Sequence, residues 1–282
     1  MERSRSNRPF SATVCNEDRN PMKTSRFHAV LLGLIMLCCL SCGKPKPPEV
    51  LPRPVSFDEN LGKLEARAAH WRSYQAKLRI RLEGAKGKMR FQAIVLAVLP
   101  DQLRLEAFNL VGQTVALFTM NNGKPALSIP SEKMIFTAER PETLIEYFFG
   151  MPLPAGVFAY DLAAVVPPEQ LDKLSPRREA PGWKADFSPE GSDASFLWEF
   201  EDNPPALKSL AARDGLWDRR ITYDPAVELE PQNAPRKLRL ESAQWRMEIT
   251  VEQIMPTSGF DASVFVPPVQ EGVRTVDLDS IK

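Results

Sequence analysis

The feature that most constrains the fold of this chain is a strict alternation of apolar and polar residues that begins at Tyr74. The apolar positions on the first segment are Tyr74, Ala76, Leu78, Ile80 and Leu82. The same period of two returns from Met89 to Leu99 and places every second side chain on one face of a β-strand. Turn signals at 84–87, Pro100-Asp101 and Asn121-Asn122-Gly123 separate these strands from the next ones. The sequence therefore predicts an antiparallel meander.

Other patterns predict helices and further strands. Helical spacing is found over Phe57–Trp71, over Pro141–Phe149 and from Pro154 to Val165. Further strands are predicted at 103–108, 113–120, 125–129, 133–137, 183–187, 196–200, 216–223, 237–242 and 244–253. We expect a charged loop over 169–181, an edge strand over 260–266, and either a strand or a helix over 206–212. Together, the predicted strands and helices indicate a mainly β (α+β) fold. In this fold a curved antiparallel sheet of about ten strands is covered on one side by helices. Its apolar face encloses either a filled core or a hollow.

An apolar run near the amino terminus resembles a secretory signal. The run covers the 12 residues from Ala29 to Leu40, follows Lys23 and Arg26, and is too short for a helix that crosses a bilayer. It ends in Leu40-Ser41-Cys42-Gly43, which resembles a bacterial lipobox. We expect residues 1–41 to be removed, with Met22 as an alternative start of translation, and Cys42 to carry a covalent amino-terminal lipid. An uncleaved short anchor and an ordinary secretory signal remain alternatives.

The predicted mature chain has few features that suggest other classes of function. Its 30 basic and 33 acidic residues argue against a nucleic-acid partner. Cys42 is its only cysteine, which leaves no disulfide, and His70 is its only histidine. No spacing typical of a metal site, a nucleophile elbow or a phosphate-binding loop occurs. We therefore expect no enzyme, metal or cofactor; a hydrolase would require activity that depends on a specific Ser, Asp or His.

One predicted turn is unusually apolar. Asn109-Leu110-Val111-Gly112 joins two strands, so Leu110 and Val111 would face water at a hairpin tip. One interpretation is that the tip folds back on the domain. The other is that it forms an apolar finger that contacts a lipid surface or an acyl chain.

Several short motifs resemble the LolB-like outer-membrane lipoprotein receptors of the LolA/LolB superfamily. They are Tyr74-Gln75 at the first strand, Arg104-Leu105 before Asn109-Leu110-Val111-Gly112, and Gly150-Met151-Pro152-Leu153-Pro154 after the helix at 141–149. The family has Pro where this chain has Leu110. Phe265-Val266-Pro267-Pro268 is more similar to the end of the soluble carriers in the superfamily.

The resemblance implies an incomplete β-barrel covered by helices, with an apolar cavity for the acyl chains of cargo lipoproteins. It further implies that the chain is a lipid-anchored monomer on the periplasmic face of the outer membrane, which accepts lipoproteins from a LolA-like periplasmic carrier. An envelope lipoprotein of the same fold that binds another lipid or has a structural role is the alternative. The implied cavity residues are Leu78, Ile80, Phe91, Val95, Leu105, Val115, Leu117, Leu144, Ile145 and Phe148.

The predicted organisation of the chain has four parts. Residues 1–41 form the signal peptide, residues 42–56 the lipidated cysteine with a proline-rich linker, residues 57–270 the half-barrel domain, and residues 271–282 a flexible tail. Five prolines between Gly43 and Pro54 favour an extended linker.

Overall fold

A single sheet dominates the computed structural model, which describes residues 56–151, 153–214, 217–268 and 271–280. Cys42, the signal peptide and most of the linker lie outside the described residues. The sheet, its helices and its core all lie within residues 56–280. This part of the chain therefore contains the complete core that a domain needs to fold by itself.

The sheet has 14 strands. In chain order they are β1 (Ser73–Gly84), β2 (Gly87–Val98), β3 (Gln102–Phe108), β4 (Thr114–Asn121), β5 (Lys124–Ile129), β6 (Met134–Thr137), β7 (Ser175–Glu179), β8 (Gly182–Phe187), β9 (Ser195–Asp202), β10 (Pro205–Asp214), β11 (Trp217–Glu228), β12 (Lys237–Glu241), β13 (Arg246–Pro256) and β14 (Arg274–Asp277).

Four α-helices and three short 3-10 helices complete the described chain. The α-helices are α1 (Phe57–His70), α2 (Pro141–Phe149), α3 (Ala155–Ala163) and α4 (Pro168–Leu171). The 3-10 helices are Pro130–Glu132, Ala262–Phe265 and Leu278–Ser280. A capping box starts α1, since Ser56 Oγ accepts the Glu59 amide at 3.2 Å and Glu59 Oε2 accepts the Ser56 amide at 3.3 Å. Within the described residues, no helix is long and apolar enough to span a membrane.

The strand order makes the sheet open and curved. It runs β14-β6-β5-β4-β3-β2-β1-β13-β12-β11-β10-β9-β8-β7, and no pairing joins the two edge strands, β14 and β7. Among the strand pairs of the described residues, only β14 and β6 are parallel, and the others are antiparallel. The predicted fold class, a mainly β chain with a curved, unclosed antiparallel sheet and a few helices, is confirmed.

Four details differ from the sequence-based prediction. The sheet has 14 strands rather than about ten. The segment expected to be a loop contains most of α4 and all of β7. All five residues of β7 are exposed, so this edge strand shows no apolar alternation in the sequence. The expected edge strand at 260–266 is instead the 3-10 helix Ala262–Phe265, because the Asp261 side chain caps the Ser263 amide at 2.8 Å. Residues 206–212 are part of β10.

The last described residues extend the sheet. A flexible tail was predicted over 271–282, whereas Arg274–Asp277 pair with β6 as β14 and Leu278 is buried. These residues are therefore held by a strand ladder and by an apolar contact.

The core lies between the inner face of the sheet and the helices. Successive residues of β1 alternate between buried apolar and exposed polar side chains, and β2 shows the same period of two, as their sequence pattern predicts. Helices α1 to α3 cover the inner face with buried side chains such as Leu64, Leu144 and Phe158. On the other face, the 3-10 helix Ala262–Phe265 packs on β3 and β4, where Arg104 donates to the Val264 carbonyl at 3.1 Å.

Candidate functional site

The candidate site is an apolar cavity between the inner face of the sheet and α2 with the segment that follows it. The sheet contributes the side chains of Ile80, Phe91, Leu103, Leu105, Phe118 and Met247. The covering segment contributes Ile145, Phe149, Met151, Leu153, Ala155 and Phe158. Every lining residue is apolar, so the cavity offers neither a charge nor a hydrogen-bonding side chain.

The cavity is small in this structure. Its volume is about 50 Å³, compared with roughly 300 Å³ or more for pockets that hold a drug-sized ligand. The interior is therefore nearly filled, which decides between the filled core and the hollow that the sequence left open. An acyl chain can enter only if part of the cover moves.

Helix α2 is held mainly by apolar contacts. Leu144 and Ile145 are its buried residues, and the Phe148 ring lies edge-on to Phe136 with the ring centroids 4.7 Å apart. Among the described residues, the one side-chain hydrogen bond from outside that reaches α2 comes from Lys86, which donates to the Tyr147 carbonyl. The helix ends at Gly150, whose φ of 67° is in the left-handed region.

Helix α3 is held by buried polar groups as well. Tyr74 and Tyr223 donate to the carbonyls of Ala159 and Asp161 at 2.6 and 3.2 Å. Arg67 on α1 donates to the carbonyls of Ala163 and Ala164 at 2.6 and 2.7 Å.

Arg67 joins α3 to a second segment of the chain. Its Nη1 also donates to the carbonyls of Asn233 and Glu230, at 2.6 and 3.2 Å. Burial lowers the pKa of Arg67 to about 10, which leaves the guanidinium charged at neutral pH. A positive charge at the end of α3 also complements the helix dipole. Arg67 therefore links the carboxyl end of α3 to the segment that contains Glu230 and Asn233.

A buried ion pair lies beside this contact. Arg219 Nη2 is 3.5 Å from Asp161 Oδ2, and the two side chains are 4% and 3% exposed. Burial raises the pKa of Asp161 to about 6, although Arg219 opposes the shift. The attraction between the two charges therefore offsets only part of the cost of desolvating the carboxylate.

The hairpin tip between β3 and β4 projects into solvent. Leu110 and Val111 are 95% and 78% exposed. Asn109 holds the turn, because its Oδ1 accepts the amides of Val111 and Gln113 at 3.0 and 2.9 Å, and Gly112 adopts a φ of 82°. The tip does not fold back on the domain, and the apolar finger is the observed arrangement.

The structure brings most of the predicted cavity residues together. Ile80, Phe91, Leu105 and Ile145 line the cavity directly. Leu78, Val95 and Leu144 are buried in the surrounding core, and Phe148 packs against that core.

Two predicted cavity residues do not face the cavity. Phe118 lines it and pairs with Leu105, so Leu117, its neighbour in the strand, points to the opposite face. Val115 is 40% exposed and lies at a register shift between β3 and β4. The prediction was wrong for both because β4 is apolar on both faces, and its alternation could not show which face is the inner one.

Sequence reasoning missed the remaining lining residues, which are Leu103, Phe118, Met247, Phe149, Met151, Leu153, Ala155 and Phe158. Two signals could have found some of them. Met247 is in phase with Ile249 in β13, and Met151 and Leu153 lie in the motif after α2. The described residues contain no cluster of three or more His, Cys, Asp or Glu side chains that could hold a metal ion.

Comparisons with known proteins give matches among solved structures. No protein-family model matches the chain, and no curated protein matches it. A DUF1329 family protein from Desulfovibrio piger is similar over 73% of this chain and 96% of its own, with 5% identity and a TM-score of 0.52. This likeness shows a shared fold.

Two further solved structures are similar at lower scores. A putative outer membrane lipoprotein-sorting protein domain from Vibrio parahaemolyticus has 12% identity, covers 74% of this chain and 97% of its own, and has a TM-score of 0.47. A LolA superfamily protein from Nitrosomonas europaea has 11% identity, covers 76% and 98%, and has a TM-score of 0.48.

Proposed function

We propose that this protein is an outer-membrane lipoprotein that takes acyl chains of other lipoproteins into the cavity beneath α2 and delivers them to the membrane. The observation that carries the proposal is the wholly apolar lining between the sheet and the cover formed by α2 and the segment after it. Such a lining suits a hydrocarbon chain, because each buried methylene contributes about 0.8 kcal/mol.

Loading requires that the cover open, because the cavity of about 50 Å³ is too small for an acyl chain. Helix α2 is the part of the cover that can move at the lowest cost, since its contacts with the sheet are mainly apolar. An entering acyl chain would replace those contacts with equivalent ones. Loading would thus exchange one set of apolar contacts for another.

Release follows from relative affinity and needs no covalent chemistry. A bilayer buries acyl chains more completely than a small protein cavity does, so cargo passes from the cavity to the membrane. The exposed Leu110 and Val111 would insert at the membrane surface and place the cavity near it. A LolA-like periplasmic carrier would supply the cargo, and the lipid on Cys42 would keep the protein on the outer membrane.

A second candidate function is supported by the small cavity. A nearly filled interior also suits an envelope lipoprotein of the same fold that has a structural role. The two functions differ in whether the protein binds an acylated ligand.

Binding of a synthetic triacylated lipopeptide tests the proposal. Ile145→Trp fills the cavity and should weaken binding at least about tenfold, which corresponds to 1.4 kcal/mol. Tyr147→Trp, on the 53% exposed side chain of the same helix, is the matched control and should bind as the wild type does. Binding that is unaffected by Ile145→Trp, or no binding by the wild type, would contradict the proposal and favour the structural role.

Delivery is tested in cells. Depletion of the protein should leave lipoproteins in the periplasm, and Val111→Glu should have the same effect if the finger contacts the membrane. Normal delivery by the Val111→Glu variant would exclude that role of the finger.

A further inference from the structure

The outer face of four strands carries an excess of positive charge. On β2, β1, β13 and β12, the side chains that point away from the core include eight cations, which are Lys77, Arg79, Arg81, Lys88, Arg90, Lys237, Arg239 and Arg246. The same face carries the four carboxylates of Glu83, Glu241, Glu248 and Glu252. We call this surface the basic face.

Ion pairs within the basic face leave part of this charge unbalanced. Glu252 lies 3.3 Å from Lys77 and also pairs with Arg79. Glu248 is shared in the same way by Arg81 and Arg239, at 3.9 and 3.7 Å.

Not every cation of the basic face has a carboxylate partner. Arg90 and Lys237 form no ion pair with any described residue. Most of the cations are exposed, so an approaching anion can reach them. The basic face therefore has a local excess of four positive charges in a chain whose formal net charge is zero.

The basic face lies at the middle of the outer side of the sheet. Strands β2, β1, β13 and β12 occupy the middle of the 14-strand order. The α-helices cover the inner side, whereas the 3-10 helix Ala262–Phe265 packs on the outer side at β3 and β4. The cations of the basic face are therefore not covered by any of the described α-helices.

The apolar finger lies at one end of the basic face. Gln92 of β2 pairs with Phe108 of β3, so the residues after Phe108 extend beside the basic start of β2, where Lys88 and Arg90 lie. Exposed Leu110 and Val111 follow Phe108 within three residues and therefore lie at the end of the sheet that carries these cations. Apolar side chains beside exposed Lys and Arg side chains are typical of surfaces that bind anionic bilayers.

We infer that the basic face is a docking surface for a bilayer that contains anionic lipids. The inference rests on the proposed membrane contact of the finger, and it adds the lipid class and the cations, at the same end of the sheet as the finger, that pair with the lipid headgroups. Phosphate groups of the lipids would pair with the exposed cations while the finger enters the apolar layer. An acidic protein is the alternative partner for these cations, but binding to it would not involve the exposed apolar finger.

Vesicle sedimentation with the chain that starts at residue 43 tests the inference. This chain lacks Cys42, the predicted site of lipidation, and contains every described helix and strand. It should sediment with phosphatidylcholine vesicles that contain about one third phosphatidylglycerol and stay in solution with phosphatidylcholine alone. Raising the salt from about 0.1 M to about 1 M should release it, since the Debye length falls from about 10 Å to about 3 Å.

A triple variant and a matched control locate the contact. Arg79→Gln, Arg81→Gln and Arg90→Gln together should weaken binding to the acidic vesicles by at least about tenfold. Arg177→Gln, Arg178→Gln and Lys208→Gln remove the same number of exposed charges from β7 and β10 and should have little effect. Equal losses in both variants would show that net charge, rather than the basic face, governs binding.

The outcomes separate this inference from the proposed function. The triple variant of the basic face should still bind the triacylated lipopeptide, and Ile145→Trp should still bind acidic vesicles. A wild-type chain that binds neither kind of vesicle, or both equally, would overturn the inference and leave an acidic protein as the candidate partner. Loss of lipopeptide binding in Ile145→Trp would support the proposed function in either case.

Discussion

Helices α2 and α3 cover the same sheet but are attached to it in different ways. Buried polar side chains hold α3, since Tyr74, Tyr223 and Arg67 donate to carbonyls along its length. Apolar packing holds α2, with Lys86 as the one outside side chain among the described residues that donates to it.

The difference shows which helix can move. Displacing α3 would leave a buried guanidinium and several carbonyls without partners, which costs several kcal/mol. Displacing α2 exchanges apolar contacts that an acyl chain could replace. We therefore expect α3 to stay fixed and α2 to act as the lid of the cavity.

The largest expected effect is that of Arg67→Ala. The substitution removes the donor to the buried carbonyls of Ala163 and Ala164 and to the partly buried carbonyl of Asn233, which all lose a partner. We expect the free energy of unfolding in urea to fall by about 3–5 kcal/mol. Lys63→Ala is the control, because Lys63 lies on the same helix and its exposed ion pair with Glu230 should contribute less than about 1 kcal/mol. Equal losses in the two variants would contradict the fixed role of α3.

The next effect is a dependence on pH from Asp161. Its pKa rises from 3.8 to about 6 on folding, so the folded protein binds this proton more tightly than the unfolded chain does. The stability from this group is thus present at low pH and is lost as the pH rises through about 6, by an amount on the order of 3 kcal/mol.

Asp161→Asn stays neutral and should lack this loss. The free energy of unfolding of the wild type minus that of the variant should therefore be larger near pH 4 than near pH 7. Urea titrations at both values measure it, and Asp218→Asn, at an exposed carboxylate, corrects for the general effect of removing a charge. A difference that is constant with pH would show that Asp161 does not titrate in this range.

A smaller effect is expected from Tyr74→Phe. The hydroxyl of Tyr74 donates to the Ala159 carbonyl at 2.6 Å, and the side chain is fully buried. Its loss should lower the free energy of unfolding by about 1–3 kcal/mol and leave lipopeptide binding unchanged. Tyr147→Phe on α2, which removes an exposed hydroxyl, is the matched control and should be neutral. A variant that binds lipopeptide differently would show that α3 also moves during loading.

Much of the fold could be predicted from local patterns. The alternation in β1 and β2 and the Pro141 and Gly150 signals of α2 each depend on residues close in sequence, and the structure contains all three elements. Edge strands such as β7 were missed because an exposed strand needs no apolar alternation.

The site was only partly predictable, because it depends on contacts between distant residues. Arg67 donates to the carbonyl of Ala164, at the end of α3, although the two residues are 97 positions apart in the chain. No local pattern indicates that a helical arginine is buried. Likewise, both faces of β4 are apolar, so only the pairing with β3 shows that Phe118 faces the cavity and Leu117 does not.

The smallest expected effect on stability, and the sharpest test of the lid, is that of Lys86→Ala. Lys86 donates to the Tyr147 carbonyl and its Nζ lies 5.5 Å from the centre of the Tyr147 ring. Because this contact is exposed, its loss should cost less than about 1 kcal/mol. Hydrogen exchange should become faster at the amides of α2 but not at those of α3, since the lid opens more often while α3 stays in place. Lys88→Ala, which breaks an exposed pair with Glu83 on the same hairpin, should change neither helix. Faster exchange in both helices would mean that they open as one unit, and the difference in their attachment would then have no consequence for loading.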